Sequence, residues 1–477
     1  MALPQEFIDY TKALFGDERW ERYLASYEED TPVSVRLNPY KVGSDAASII
    51  DNVERGASGA IDILNNKLSE VPWCRNAYYL KERPNFTLDP LLHAGCYYVQ
   101  EASSMFLDQV LRQYLSTIFN LNNKPIDIVE SAPPLGLLSP AKRGRSEAEG
   151  VQRLLTAGGG GSTLDLCAAP GGKSTLLRAA LPGDCMLFSN EPDRRRANIL
   201  MENLQKQGHP NVIVTNNYPC DYRRAGIMFD MILADVPCSG EGMFRRDEAT
   251  IKEWSLQNVM KCAELQRSII EDIWSSLKPG GILVYSTCTF NLREDEENVR
   301  WITEELGAEV LPVDTKPEWN ITGSLLEGWD KPVYRFIPGT TKGEGLFMAV
   351  LRKTSSDDAS SSSKNAIDIS NIRSSKALKS LKIMSDGTYS GTIKGKTIIP
   401  DHAEALLFNL PSDKYPRVEL SLQDALRYLH HEALVLPEET PKGFVIVTYL
   451  SHPLGFMKNI GNRANNLYPQ EWKIRNI

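Results

Sequence analysis

Short apolar runs recur through the middle of the chain, each bounded by turn residues. Thr163-Leu164-Asp165-Leu166, Met186-Leu187-Phe188-Ser189, Val212-Ile213-Val214-Thr215, Met231-Ile232-Leu233-Ala234 and Ile282-Leu283-Val284-Tyr285 read as buried strands. Helical text separates them: Asp193 to Gln207 is a capped helix ending at Gly208, and Cys262 to Leu277 is a helix stopped by Lys278-Pro279-Gly280-Gly281. This alternation predicts a doubly wound α/β sheet, with Gly345 to Leu351 as a late strand closing it. Upstream, Gln5 to Gly16 is helical, Ser34 to Asn38 is extended, and Gly95 to Met105 leads into a helix reaching about Leu115. Downstream, Leu420 to Leu429 is helical, and Phe444 to Tyr449 with Leu454 to Phe456 predicts a hairpin.

A chain of 477 residues, 42% apolar and 24% charged, is too long for one core and suggests two to four domains. No segment approaches a membrane span and the first residues lack the pattern of a signal peptide, so a cytoplasmic location is expected. Eight cysteines without a Cys-x-x-Cys pair argue against a zinc site or a disulfide framework, and no metal is expected. The net charge of −8 argues against indiscriminate nucleic-acid binding. Local charge differs: from Pro441 to Ile477, Lys442, Lys458, Arg463, Lys473 and Arg475 face one acid, Glu471. Ser116 to Gly161, with its basic cluster Lys142-Arg143-Gly144-Arg145, has the composition of a solvated insertion, and Ser355 to Ser363 that of a linker.

Two strings carry the chemistry. Asp235-Val236-Pro237-Cys238-Ser239-Gly240 and Ser286-Thr287-Cys288-Thr289 each follow a strand, so both thiols should emerge at the carboxyl edge of one parallel sheet, where such sheets bind ligands. Two cysteines facing a nucleotide-type pocket suggest covalent chemistry on a base. The first strand runs into Cys167-Ala168-Ala169-Pro170-Gly171-Gly172-Lys173-Ser174, which lacks the earlier glycine of a phosphate-binding P-loop because position 167 is cysteine. Glycines here allow close backbone approach to a ligand, and Glu191, nineteen residues after Gly172, stands where a carboxylate can accept two ribose hydroxyls.

These strings resemble the RNA 5-methylcytosine methyltransferases of the Nop/Sun family, and the flanking text is most similar to the bacterial RsmF-type ribosomal-RNA enzymes. The resemblance implies S-adenosylmethionine as cofactor, with Cys167, Ala168, Ala169, Pro170, Gly171, Gly172 and Lys173 near its methionine part, Glu191 on its ribose and Asp235 nearby. Asn216 and Asn217 compete for the adenine, with Asn217 preferred and Asp221 more distant. The resemblance makes Cys288 the nucleophile that adds to carbon 6 of cytosine and Cys238 the residue that helps remove the carbon-5 proton. Asp235, protonated or sharing a proton, would face the Watson–Crick edge, and Lys173 would add a cation. Arg245 and Arg246 in the following loop, Arg36 in the N-terminal unit and Lys458 in the tail are candidate RNA contacts. Arg194 to Arg196 read as a solvated helix face, and Tyr468 and Trp472 as either stacking platforms or core.

The expected architecture is therefore a small N-terminal α/β unit (1–90) that helps hold RNA and a Rossmann-like methyltransferase domain (91–353, insertion about 116–161). A linker (354–365) then leads to a C-terminal region (366–477) with a PUA-like, β-rich RNA-binding module. The expected partner is RNA, most of all ribosomal RNA of the small subunit, bound by a monomer. Transfer RNA, or an idle assembly factor, are the alternatives. A DNA cytosine methyltransferase would use the Pro-Cys cysteine as nucleophile with a Glu-Asn-Val motif. Glu297-Asn298-Val299 does occur, but after the Thr-Cys strand and within an acidic run that reads as a solvated helix face.

Overall fold

The computed structural model describes residues 3–42, 66–119, 160–354 and 376–475. Its centre is a nine-stranded sheet built from β5 (Ser162–Asp165), β6 (Met186–Asn190), β7 (Val212–Thr215), β8 (Phe229–Asp235), β9 (Leu277–Thr287), β10 (Ala308–Leu311), β11 (Val333–Phe336), β12 (Leu346–Lys353) and β13 (Ile383–Ser385). The order is β10-β12-β9-β8-β5-β6-β7-β13, with β11 paired to β12. β5 to β9 are mutually parallel, whereas β12 runs antiparallel to β9 and β13 antiparallel to β7.

Side chains of one strand alternate between two cores, as a strand's period of two requires. Leu187, Val214, Met231, Leu233, Ile282 and Val284 face one, and Phe188, Ile213, Ile232, Ala234, Leu283 and Tyr285 the other. Burial on both faces explains why these strands read as unbroken apolar runs. β9 begins at Leu277, so Lys278-Pro279-Gly280-Gly281, expected to end a helix, lies within the strand. The preceding helix, Leu256–Trp274, is capped by Ser255, which accepts from the Asn258 N–H.

In the N-terminal region, β1 (Ser34–Leu37), β2 (Lys67–Glu70), β3 (Ala77–Leu80) and β4 (Tyr97–Val99) form a sheet in the order β2-β3-β1-β4. This sheet crosses residue 90, the boundary expected from sequence, because β4 pairs with β1. The tail contributes a hairpin of β14 (Thr392–Lys394) and β15 (Thr397–Ile399), then a sheet of β16 (Arg417–Glu419), β17 (Gly443–Tyr449), β18 (His452–Asn459) and β19 (Ala464–Asn466). β13 belongs by sequence to the expected C-terminal region and by pairing to the central sheet. The N-terminal sheet and the tail share one apolar core, in which Val35, Leu37 and Tyr97 meet Tyr428, Leu454, Tyr468 and Trp472. Tyr468 and Trp472 are thus core residues whose rings pack edge-on against His402, so neither offers a face to a base. Most of the basic insertion and the serine linker, with Lys142, Arg143 and Arg145, lie outside the described residues.

The acidic run after β9 is buried, contrary to the solvated face expected from its composition. Glu294, Asp295 and Glu296 have no measurable exposure and Asn298 is buried. Arg335 of β11 supplies the countercharge, donating to both carboxylate oxygens of Glu296 at 2.7 and 2.6 Å and to Asp295 at 3.2 Å. Asp295 in turn accepts from Thr287 Oγ1 at 2.6 Å, one residue before Cys288. A buried ion pair adds little net stability, but removing one partner strands the other charges. Arg335→Met is expected to cost about 3–5 kcal/mol in urea unfolding, and a loss below about 1 kcal/mol would show that the acids find another partner.

Candidate active site

The carboxyl ends of β5, β6, β8 and β9 lie along one edge of the central sheet. After β5 the chain turns through Gly171, whose φ of 116° is left-handed, into the helix Gly172–Ala180. A Cβ at Gly172 would come within 3.2 Å of the Tyr98 ring, so both glycines answer a local steric need. Ser174 Oγ lies 2.6 Å from Asp165 Oδ2 and 2.9 Å from Ser189 Oγ, tying the turn to β5 and β6. Burial pushes the Asp165 carboxyl up to about 7.

Glu191 follows β6 and is buried. One carboxylate oxygen accepts the Asp193 N–H at 3.0 Å, while Oε2 has no hydrogen-bond partner. Arg196 Nη1 is 3.3 Å from that oxygen, an ionic contact without hydrogen-bond geometry. A buried carboxylate oxygen lacking a donor beside an open glycine turn fits ribose hydroxyls. Cys167, Ala168, Ala169 and Pro170 form the intervening backbone, with the two alanines buried and Pro170 exposed. Asn217 does not fit the adenine role expected of it. Its carboxamide donates to the Lys382 carbonyl at 3.2 Å and accepts the Lys382 N–H at 3.0 Å, so it pins β13 to the end of β7. Asn216 is likewise spent, donating to the carbonyls of Glu191 and Pro192.

At the tips of β8 and β9 the sequence-derived residues meet. Lys173 Nζ donates to Asp235 Oδ2 at 2.9 Å, and Ser286 Oγ donates to Asp235 Oδ1 at 2.7 Å. Cys238 Sγ and Cys288 Sγ lie 2.9 Å apart, and the Cys288 N–H points at Cys238 Sγ from 3.3 Å. The Cys238 thiol is pushed well above its ordinary range, first by its hydrogen bond with Cys288 and then by burial.

Two buried carboxylates that sequence reasoning missed hold this pair. Glu241, in the Cys238 loop, accepts the Phe290 N–H of the Cys288 loop at 2.7 Å, whereas Glu294, in the Cys288 loop, accepts the Ser239 N–H of the Cys238 loop at 3.0 Å. Asn291 Nδ2 sits between them, 2.8 Å from Glu294 and 3.1 Å from Glu241. Trp254 donates to Glu241, and Gln266 Nε2 lies within bonding distance of both Glu294 and the Pro237 carbonyl. Gly242 lets its loop approach closely: its N–H reaches the Cys288 carbonyl at 2.9 Å, and a Cβ there would sit 3.1 Å from that oxygen.

The basic residues expected to touch RNA fare differently. Arg36 is buried, bonding Gln100 Oε1, Thr175 Oγ1 and the Gly172 carbonyl, because it bridges the N-terminal sheet to the glycine turn. The Arg245 side chain is also largely covered, 6% exposed, paired with Glu344 at 3.3 Å and donating to the Glu29 carbonyl. Arg246 is exposed and reaches the Pro32 carbonyl, and Lys458 is partly exposed with its ammonium 5.5 Å from the Phe444 ring centre.

The sheet order, glycine turn and buried ribose-type carboxylate define a Rossmann-like methyltransferase that uses S-adenosylmethionine. Glycine-turn backbone and Glu191 are the groups that would hold the cofactor. Residues 153–352 match the model of the 16S rRNA methyltransferase RsmB/F family, residues 3–102 that of the N-terminal domain of 16S rRNA methyltransferase RsmF, and residues 415–474 that of the methyltransferase RsmF PUA domain. The chain belongs to this family as an RNA methyltransferase of the RsmF type. It is 27% identical to the ribosomal RNA small subunit methyltransferase F of Escherichia coli (strain E24377A), over 95% of this chain and 92% of that one, and 25% identical to its namesake in Erwinia tasmaniensis, over 98% and 96%. The Pectobacterium atrosepticum enzyme of that name is 28% identical over 74% of this chain and 63% of its own length. Among solved structures, a methyltransferase homolog from Pyrococcus horikoshii shares the fold with a TM-score of 0.51 at 24% identity, over 74% of this chain and 100% of that one.

Burial raises the Glu294 carboxyl to about 7 from an ordinary 4.5. The folded state then holds a proton that the unfolded state releases, so this group's contribution to stability falls as pH rises from about 4.5 to about 7. Relative to Glu294→Gln, the wild type should lose stability across that window at up to about 1.4 kcal/mol per pH unit. Urea titrations of both proteins at several pH values read this slope, and parallel profiles would mean that Glu294 stays ionised.

Proposed function

We propose that this protein is an S-adenosylmethionine-dependent cytosine-C5 methyltransferase of small-subunit ribosomal RNA, working as a monomer in the cytoplasm. The observation that carries this reading is the pair of thiols 2.9 Å apart beside the Lys173–Asp235 pair. Carbon 5 of cytosine is a poor nucleophile until carbon 6 is attacked. In this reading the Cys288 thiolate forms a bond to carbon 6, and the displaced electron pair moves toward ring nitrogen 3. The Lys173–Asp235 pair supplies a proton there, with Lys173 as its carrier and Ser286 fixing the carboxylate. This is the shared-proton form of the two expected for Asp235.

Bound S-adenosylmethionine supplies an electrophilic methyl group. Carbon 5, made electron-rich in the adduct, is where that methyl would go, with S-adenosylhomocysteine as the leaving product; nitrogen 3 then returns its proton to the Lys173–Asp235 pair, and carbon 5 bears both the methyl and its original hydrogen. Release requires a base to remove the hydrogen as a proton, so that its electrons re-form the carbon 5–carbon 6 double bond and expel Cys288 as thiolate. Cys238 suits this step. Its proton is held first of all by the hydrogen bond with Cys288, and consumption of the Cys288 thiolate in the adduct removes that restraint. Cys238 then gives up its own proton to solvent and, as a thiolate, takes the carbon-5 hydrogen as a proton, ending the cycle as a thiol.

Cys288→Ala should abolish both methylation and covalent RNA adducts, while Cys238→Ala should let an adduct form and persist. A denaturing gel with labelled RNA reads both, and adducts from Cys288→Ala but none from Cys238→Ala would reverse the roles. Bisulfite sequencing of total RNA from cells with and without the gene should show loss of methylcytosine from small-subunit ribosomal RNA. Loss from transfer RNA alone would move the substrate, and loss from neither would sink the reading.

A further inference from the structure

A run of exposed positive charge lies between the central sheet and the tail. Over residues 376–396 there are five lysines, Lys376, Lys379, Lys382, Lys394 and Lys396, against one acid, Asp386, in a chain whose acids outnumber its Lys and Arg by 61 to 53. All five lysines are exposed, and none takes part in an ion pair among the described residues. This segment falls between the stretches 153–352 and 415–474 that match the catalytic and PUA models.

Its placement is fixed. Leu378 and Leu381 are buried in the core that contains Ile213 and Tyr222, so the lysines at positions 376, 379 and 382 are left on the outer side. Lys382 is fastened through its backbone to the Asn217 side chain and to the Asn216 N–H, and Ile383 pairs with Thr215 at the carboxyl end of β7. The strip therefore starts at the edge of the sheet on which Cys238 and Cys288 stand. β13 is the fourth strand from β8, about 19 Å away at about 4.8 Å per strand. Beyond it the β14–β15 hairpin carries Lys394 and Lys396, with Ile393 and Ile398 directly opposite each other and 75% and 60% exposed. A two-stranded hairpin with an open apolar pair is marginal in water by itself, and a partner offering sugar and base faces would cover it.

We propose that residues 376–396 form a phosphate-binding strip that holds the substrate RNA along the β13 side of that edge, the five lysines contacting phosphates and Ile393 and Ile398 packing on the nucleotides between them. This rests on the RNA reading above. The test uses the full chain with all five lysines changed to Gln, a second variant with all five changed to Arg, and a transcript of small-subunit ribosomal RNA titrated at several salt concentrations. The Gln variant should bind at least about tenfold more weakly, with a slope of log affinity against log salt shallower by about 3 or more, while S-adenosylmethionine affinity and the rate at saturating RNA stay within about twofold. The Arg variant should keep wild-type affinity. Equal affinity and slope for wild type and the Gln variant would overturn the strip, whereas failure of the wild type to bind or methylate the transcript would overturn the reading beneath it. Weakening confined to assembled subunits, with naked RNA unaffected, would assign the strip to a protein partner and also overturn the proposal.

Discussion

The reciprocal strapping of two loops by Glu241 and Glu294 is the constraint on which the rest of the site depends. Two thiols brought into contact on adjacent strand ends are not held there by sulfur chemistry, because a thiol is a weak donor and a weak acceptor. What fixes them is that each loop lends a carboxylate to a backbone N–H of the other, with Asn291 lying between the two acids. Burying two carboxylates so close together is tolerable only if their oxygens are bonded and one of them can hold a proton. The rise of Glu294 toward neutrality fits this requirement. A second buried network, Arg335 with Asp295 and Glu296, reaches the same place from below through Thr287. The Cys288 loop is thereby held from two sides.

The placement of the positions expected to carry chemistry was legible in the sequence because each follows an apolar run, and a strand's direction fixes which end it leaves from. Asp235, Cys238, Cys288, Lys173 and Glu191 could be placed at one sheet edge before any coordinates. The supporting residues were not legible, for a physical reason in each case. Glu294, Asp295 and Glu296 look solvated because four of five consecutive side chains from Arg293 to Glu297 are acids, whereas Asp295 and Glu296 are buried against Arg335, about forty residues on, and Glu294 against Ser239, Gln266 and Asn291. Asn217 looked like a ligand because its true partner, Lys382, is 165 residues away across a stretch with no pattern. Arg245 looked free because nothing local announces Glu344.

Domain boundaries were the least legible part, because composition marks linkers and not pairing. β4 and β13 each pair outside the unit that their position in the chain suggests. The tail seals a core that the N-terminal sheet cannot close by itself, with Tyr468 Oη 3.4 Å from His93 and Leu406 against the left-handed Gly208. Cutting the chain near Pro400 would open that core, so any role of the tail beyond packing is separable only by changing its surface residues.

Arg36 gives this packing a consequence for the chemistry. A guanidinium expected to meet phosphate is instead buried across the joint, with one nitrogen 2.7 Å from Thr175 Oγ1 and 3.4 Å from the Gly172 carbonyl, in the first turn of the helix that follows the glycine turn. Tyr98 and Gln100, from β4 and the residues after it, close over Gly172 from the same side. The N-terminal sheet is thus part of the wall behind the cofactor turn, and it is locked by the tail through a shared core. The N-terminal sheet, the tail and the backbone that would cradle the cofactor are therefore one continuously packed body, so none of them can be repositioned without repacking the joint around Arg36 and Tyr98.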